Sequence, residues 1–141
     1  MASSYDKGSL PPDKPKDGRR SGMSKAEQRK RERQSVYRKY GGHCAYCGRE
    51  ITFKEMQVDH IFPKCSNVAD VESLGNKNPS CRRCNHYKRA ETLENFRRQM
   101  KTLHERVEKI YIAKVAIDYG IIQLKPFDGK FYFEKVEGGE G

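Results

Sequence analysis

Three stretches decide how this chain reads: Cys44-Ala-Tyr-Cys47, then Val58-Asp59-His60-Ile61-Phe62-Pro63, then Asn76-Lys-Asn-Pro-Ser-Cys81-Arg-Arg-Cys84-Asn85-His86-Tyr-Lys88. Two C-x2-C pairs bracket an Asp-His pair, and an Asn-His pair follows the last cysteine directly. Each C-x2-C turn presents two sulfurs to one ion, so Cys44, Cys47, Cys81 and Cys84 form the donor set of one tetrahedral Zn²⁺ site, whose role the spacing alone does not give. Either pair alone is a weak signal, and Asp-His alone is none. Their occurrence together, in this order, carries the information.

The bulk of the chain sets the frame. At 141 residues there is room for one domain and one modest core. Only 35% of the residues are hydrophobic and Trp is absent, so a zinc site contributes stability that a thin core does not. The formal net charge of +10 points to a polyanionic partner, nucleic acid before membrane, with a merely well-solvated basic surface as the alternative. Four of the five cysteines fall in C-x2-C pairs, which fits metal binding in a reducing compartment better than a disulfide framework. No apolar run approaches a membrane span and no signal-peptide core is visible, so the expected location is intracellular and cytoplasmic, with no membrane partner.

Along the chain, residues 1–22 are polar and rich in Ser, Pro and Gly, and are expected to be a disordered leader. Part of that leader is either foreign to the natural chain or native sequence ahead of a second possible start at Met23. A single domain is expected over 23–136, with its zinc and catalytic core at 41–91 and a flexible Glu/Gly tail at 137–141. Ser24 to about Lys39 reads as a basic helix with a Ser24/Glu27 capping box, either tracking phosphates or simply solvated. The same basic cluster also matches a poorly specified nuclear-localisation signal. Glu50–Phe53 and Met56–Asp59 read as two short strands around a turn, Pro63 ends the second, and 64–77 is a polar loop. A helix carries Asn85 to Ala90. From Thr92, Leu93, Phe96, Met100, Leu103, Val107 and Ile110 form one face of a long amphipathic helix that Gly120 ends. Packing on the core is preferred for that face, with dimerisation as the other reading, so monomer and homodimer both stand. Ile121–Lys125 and Lys130–Val136, around Phe127-Asp128-Gly129, read as a closing β-hairpin. The fold class is α+β.

The motif stretch resembles the HNH endonuclease family, whose ββα-metal (His-Me finger) site sets one catalytic metal beside, in many members, a four-cysteine structural zinc. The resemblance implies metal-dependent endonucleolytic hydrolysis of DNA phosphodiester bonds, leaving 5′-phosphate and 3′-hydroxyl ends. A neutral imidazole accepts a proton near pH 7, so His60 is the general base for the attacking water. Asp59 alternates to the other side of an extended strand and, with Asn85, supplies oxygen ligands suited to Mg²⁺ or Mn²⁺. Asn85 and His86 both stand near the third motif position; the place directly after the second knuckle favours Asn85, and His86 remains a candidate ligand. The resemblance gives Asn76 a structural role, bracing the loop and the orientation of His60, with Asn78 as its competitor. Arg82, Arg83, Lys88 and Arg89 cluster beside the proposed metal, either holding the DNA backbone or solvated. Cys65 has no partner spacing.

A weaker resemblance, through Cys81-Arg-Arg-Cys-Asn-His-Tyr-Lys-Arg89 and Glu94-Asn-Phe-Arg97, extends to compact HNH proteins of bacteriophages and prophages, some of which work beside a terminase in genome packaging. The alternative class is a non-catalytic zinc module that binds nucleic acid through its basic helix. Pure binding needs none of Asp59, His60 and Asn85 in register, which argues against it. RNA cleavage would use the same residues.

Overall fold

The computed structural model describes residues 23–66 and 69–139. The 1–22 leader lies outside the described residues, as do the last two residues of the tail. The chain divides into two units, residues 1–33 and 34–141. Helix α1, Lys25–Arg38, starts in the first and ends in the second. Its capping box forms as the sequence predicts: Glu27 N donates to Ser24 Oγ at 3.2 Å, and Ser24 N donates to Glu27 Oε1 at 3.0 Å.

Strand β1, Gln57–His60, pairs antiparallel with β2, Lys77–Ser80, and His60 stands opposite Lys77. The expected hairpin between 50–53 and 56–59 does not form. Thr52 and Glu55 instead close a turn on themselves, with Glu55 N donating to Thr52 Oγ1 at 3.1 Å and Thr52 N to Glu55 Oε1 at 3.2 Å. This is the same S/T-x-x-E box that starts α1, here ending an extended run rather than beginning a long helix. The remaining pairing of that run is a single bridge between His43 and Glu50. Pro79 hides β2 in the sequence, because a residue without an N–H argues against a strand. Here it sits opposite Val58, and its carbonyl accepts from Ala45 N at 2.8 Å, tying the sheet to the first knuckle.

Helix α2, Arg82–Lys88, follows β2 through Cys81, its N-cap. The long amphipathic helix is three pieces: α3, Leu93–Lys101; α4, Leu103–Val107; and α5, Tyr111–Asp118. Thr92 caps α3 by accepting from Asn95 N at 3.2 Å. Leu93, Phe96 and Met100 reach the core, and Phe96 is fully buried. Past Met100 the stripe meets no core, and the helix breaks at Thr102 and again at Ile110. Gly120, with φ +72°, ends α5: Ile121 N donates to Ala116 O and Gly120 N to Ile117 O, the paired bonds of a Schellman cap. Ile110, Tyr111, Ile112, Val115, Tyr119 and Ile121 are exposed. No described helix is long and apolar enough to cross a membrane.

The closing β-hairpin is a second correction. Residues 122–131 run without regular structure into helix α6, Tyr132–Glu137. The segment pairs with the first knuckle instead of with itself: Phe133 N donates to Ala45 O at 2.7 Å and Tyr132 N to Tyr46 O at 3.1 Å. Phe131 stacks on Phe96 with centroids 5.2 Å apart, and Tyr46 meets Phe96, Phe131 and Phe133 edge-on. These rings, with Val36, Tyr40, Ile51 and Met56, make an aromatic-rich core. Gly48, at φ +80°, lets the knuckle approach Tyr132, where a Cβ would come within 2.8 Å of the ring.

Arg97 fastens this return. Its guanidinium donates to both Glu134 oxygens, at 2.6 and 2.7 Å, and to Gly129 O at 2.6 Å. Arg97→Met is expected to destabilise the fold by about 1.5–3 kcal/mol, the range for hydrogen bonds to charged groups, and to expose 122–139 to protease first. Arg97 also holds the Glu134 carboxyl below the usual carboxylate range. That contribution is therefore present above the unfolded Glu value, about pH 4.3, and is lost as pH falls below it. Denaturant midpoints for both proteins across that window check the magnitude and the sign.

Candidate functional site

The two knuckles converge. The Sγ atoms of Cys44, Cys47, Cys81 and Cys84 all lie within 4.8 Å of one another, and Cys47 Sγ is 3.8 Å from Cys81 Sγ. A tetrahedron with Zn–S bonds of about 2.3 Å has sulfur–sulfur edges of about 3.8 Å. The donor set therefore fits a zinc ion. Backbone N–H groups aim at the sulfurs as well: Tyr46 N donates to Cys44 Sγ and Cys84 N to Cys81 Sγ, both at 3.4 Å. Without a cation these sulfurs cannot all ionise side by side. The Cys47 and Cys84 thiols donate to Cys44 and pull it far below the ordinary thiol value, while Cys47 is pushed up to about 11 and Cys84 higher still. A dication replaces that sharing of protons by direct bonds. Cys65 is exposed and outside the cluster.

β1 carries Asp59 and His60 to opposite sides, as period-two alternation requires. Asp59 is 3% exposed. Its Oδ2 accepts from the Tyr46 hydroxyl and from Lys88 Nζ at 3.2 Å, and its Oδ1 accepts only a longer bond from Lys88 at 3.4 Å. Burial keeps this carboxyl above the usual carboxylate range, against the pull of Tyr46 and Lys88. Lys88, fully buried, also donates to His60 O at 3.0 Å and Glu91 O at 2.9 Å. That placement corrects the reading of Lys88 as a ligand of the DNA backbone: its ammonium is consumed inside the protein. Asn85 is half-buried and one helical turn before Lys88, a spacing that puts both on one face of α2. A carboxylate oxygen and an amide oxygen suit a hard divalent ion, and Oδ1 is the Asp59 oxygen with acceptor capacity to spare. His86 lies on another face of α2 and is exposed.

His60 Nε2 lies 3.3 Å from Glu72 Oε1, and Lys77 Nζ lies 3.1 Å from the same oxygen. Lys77, then His60, holds the Glu72 carboxyl below its ordinary range. Glu72 has no signal in the sequence, being one acid in a polar loop. Asn76 ties that loop to the end of β1. Its Oδ1 accepts from Phe62 N at 2.8 Å, its Nδ2 donates to Phe62 O at 3.0 Å and Val71 O at 2.7 Å, and its carbonyl accepts from Ile61 N at 2.8 Å. Asn78 is fully buried on β2 and accepts from Lys39 Nζ at 3.3 Å. Arg82, Arg83 and Arg89 are exposed.

Removing zinc with a strong chelator is expected to unfold the domain, since structural zinc sites contribute about 10–16 kcal/mol of apparent binding free energy. Circular dichroism during chelation, and recovery when zinc is returned, check this. Lys88→Met strands a buried carboxylate and is expected to cost about 3–5 kcal/mol in a denaturant titration.

Residues 44–101 match the family model described as HNH endonuclease. Among solved structures, the chain is similar to the Type II-C Cas9 enzyme from Actinomyces naeslundii, at 20% identity and a TM-score of 0.47. That match covers 76% of this chain but only 12% of the Cas9 chain. No curated protein matches the sequence. The matched segment, Cys44 to Lys101, holds both knuckles, the sheet, α2 and α3.

Proposed function

We propose that this chain is a divalent-metal-dependent endonuclease that hydrolyses DNA phosphodiester bonds, with His60 as the general base. The observation that carries the reading is the setting of the imidazole. Nε2 faces Glu72 at 3.3 Å, while Asn76 braces the chain just after His60 at Phe62 and just before Glu72 at Val71. With Nε2–H donating to that carboxylate, the lone pair is left on Nδ1, which takes the proton from the attacking water. Glu72 thus acts through His60, fixing its tautomer and stabilising the imidazolium that forms.

Asp59, through Oδ1, and Asn85 are the residues that would hold the catalytic Mg²⁺ or Mn²⁺, with His86 as the lesser candidate. When bound, that ion supplies positive charge for the scissile phosphate and the departing 3′ oxygen. Tyr46 and Lys88 hold the Asp59 carboxylate in place, and Asn85 stands on α2 one helical turn before Lys88. Cleavage of the P–O3′ bond by this route yields 5′-phosphate and 3′-hydroxyl ends. The zinc plays no chemical part: four thiolates leave no open position on it.

The test is nicking of supercoiled plasmid by zinc-loaded protein, with and without Mg²⁺ or Mn²⁺. His60→Ala is expected to lose about 10²–10⁴-fold in rate, the usual contribution of a general base, with its melting curve retained. Glu72→Gln is expected to lose less, because it removes orientation and not the base. Full activity in a folded His60→Ala would sink the assignment. Absence of cutting in every protein, alongside salt-dependent DNA retardation, would leave a binding module.

A further inference from the structure

Several cations of the second unit are engaged inside the protein. Lys88 is held by Asp59, Arg97 by Glu134 and Glu94, Lys77 by Glu72, and Lys135 by Asp128. Arg106 donates to Tyr87 and Gln99, and Lys39 to the carbonyls of Leu74 and Lys77. Against this background one cleft stands out. It has a volume of about 680 Å³ and lies between the 49–57 segment and α2. Arg49, Lys54, Arg82, Arg83 and His86 line it, with Glu55 as its one carboxylate. All five basic residues are exposed. Among the described residues, none of their side chains has an ion pair or hydrogen bond within the protein. Four permanent positive charges thus face one carboxylate around a single concavity.

We infer that this cleft is a binding site for the sugar-phosphate backbone of DNA, separate from the scissile position and anchoring the strand beside it. The inference rests on the proposed nuclease reading for its choice of polyanion. The layout of charge favours a backbone over a small anion. The four cations are long, exposed side chains spread around an open cleft, and none is buried and aimed at one point as a dedicated phosphate pocket needs. Such groups follow a chain of phosphates and release its counterions. Position favours the same occupant. Gln57 lines the cleft at the start of β1, two residues before Asp59 and on the same side of the strand, so about 7 Å along the strand separates them. At about 3.4 Å of rise per nucleotide that is about two nucleotides of duplex. The cleft thus takes phosphates flanking the cut, and its charges act on how tightly DNA is held rather than on bond breaking.

The test is equilibrium binding of a labelled duplex to the zinc-loaded chain, without added divalent ion, across a range of salt concentrations. Arg82→Gln/Arg83→Gln is compared with Lys109→Gln/Lys114→Gln, which removes the same charge from exposed lysines elsewhere. The cleft pair is expected to weaken binding and to lower the slope of log affinity against log salt by about 2, one unit for each phosphate no longer neutralised. The control pair should leave the slope unchanged. Arg49→Gln/Lys54→Gln, on the opposite wall, should behave like the cleft pair. In plasmid cutting, cleft variants should raise KM with kcat retained. An equal loss from the control pair would reduce the effect to net charge and overturn the site. An unchanged slope in both cleft pairs would do the same. Loss of bound zinc from the Arg82/Arg83 variant would assign those arginines to the knuckle instead. Cleft-dependent binding by a protein that does not cut would keep this site while removing the nuclease reading.

Discussion

Four sulfurs held within 4.8 Å are the constraint on which the rest of this structure depends. Cys81 is at once a member of the cluster, the residue that follows β2 and the N-cap of α2, so fixing its sulfur fixes where the sheet stops and the helix starts. Cys44 and Cys47 belong to a turn whose intervening residues hold everything else. Ala45 donates its N–H to Pro79 of β2 and gives its carbonyl to Phe133 of the returning C-terminal segment. A single ion at the sulfurs would therefore draw together parts of the chain that have few apolar side chains with which to find each other.

Tyr46 carries this order from the knuckle to the candidate site. Its ring is the hub of the aromatic core, edge-on to three phenylalanines, and its hydroxyl donates to Asp59. Lys88 approaches the same carboxylate from α2 and also binds the carbonyl of His60. A buried ammonium and carboxylate contribute little net stability as a pair, because desolvating both offsets their attraction. What the pair supplies is position. It locks the register of α2 against β1, and with it the relation of Asn85, Asp59 and His60.

Much of this is legible in the sequence, and the exceptions have physical causes. The knuckles, the start of α1, the end of α5 and the α+β class follow from local chemistry: thiol spacing, a Ser-x-x-Glu box, a glycine in the left-handed region. The partner of β1 escapes a sequence reading because Pro79 reads as a strand breaker and Thr52-x-x-Glu55 as part of a strand. The C-terminal hairpin fails because alternation around Asp128-Gly129 does not reveal that the first knuckle offers Ala45 and Tyr46 as partners for the same backbone. The buried state of Lys88 and the pairing of Glu72 with His60 both depend on residues distant in sequence, Asp59 and the loop before Asn76. No local pattern encodes them. The cleft residues Arg49 and Lys54 carry no motif either; they matter only once α2 packs beside them.

Residues 44–101 match the family model described as HNH endonuclease, and the chemistry of the cut is the central claim. The most direct measurement is the nature of the ends: plasmid nicked by the zinc-loaded protein is offered to a DNA ligase that joins only 5′-phosphate to 3′-hydroxyl. Attack by a His60-activated water with departure of the 3′ oxygen predicts nicks that reseal without prior treatment. Nicks that seal only after a phosphatase has removed a 3′-phosphate and a kinase has restored the 5′ end would place the broken bond on the other side of phosphorus and contradict the account.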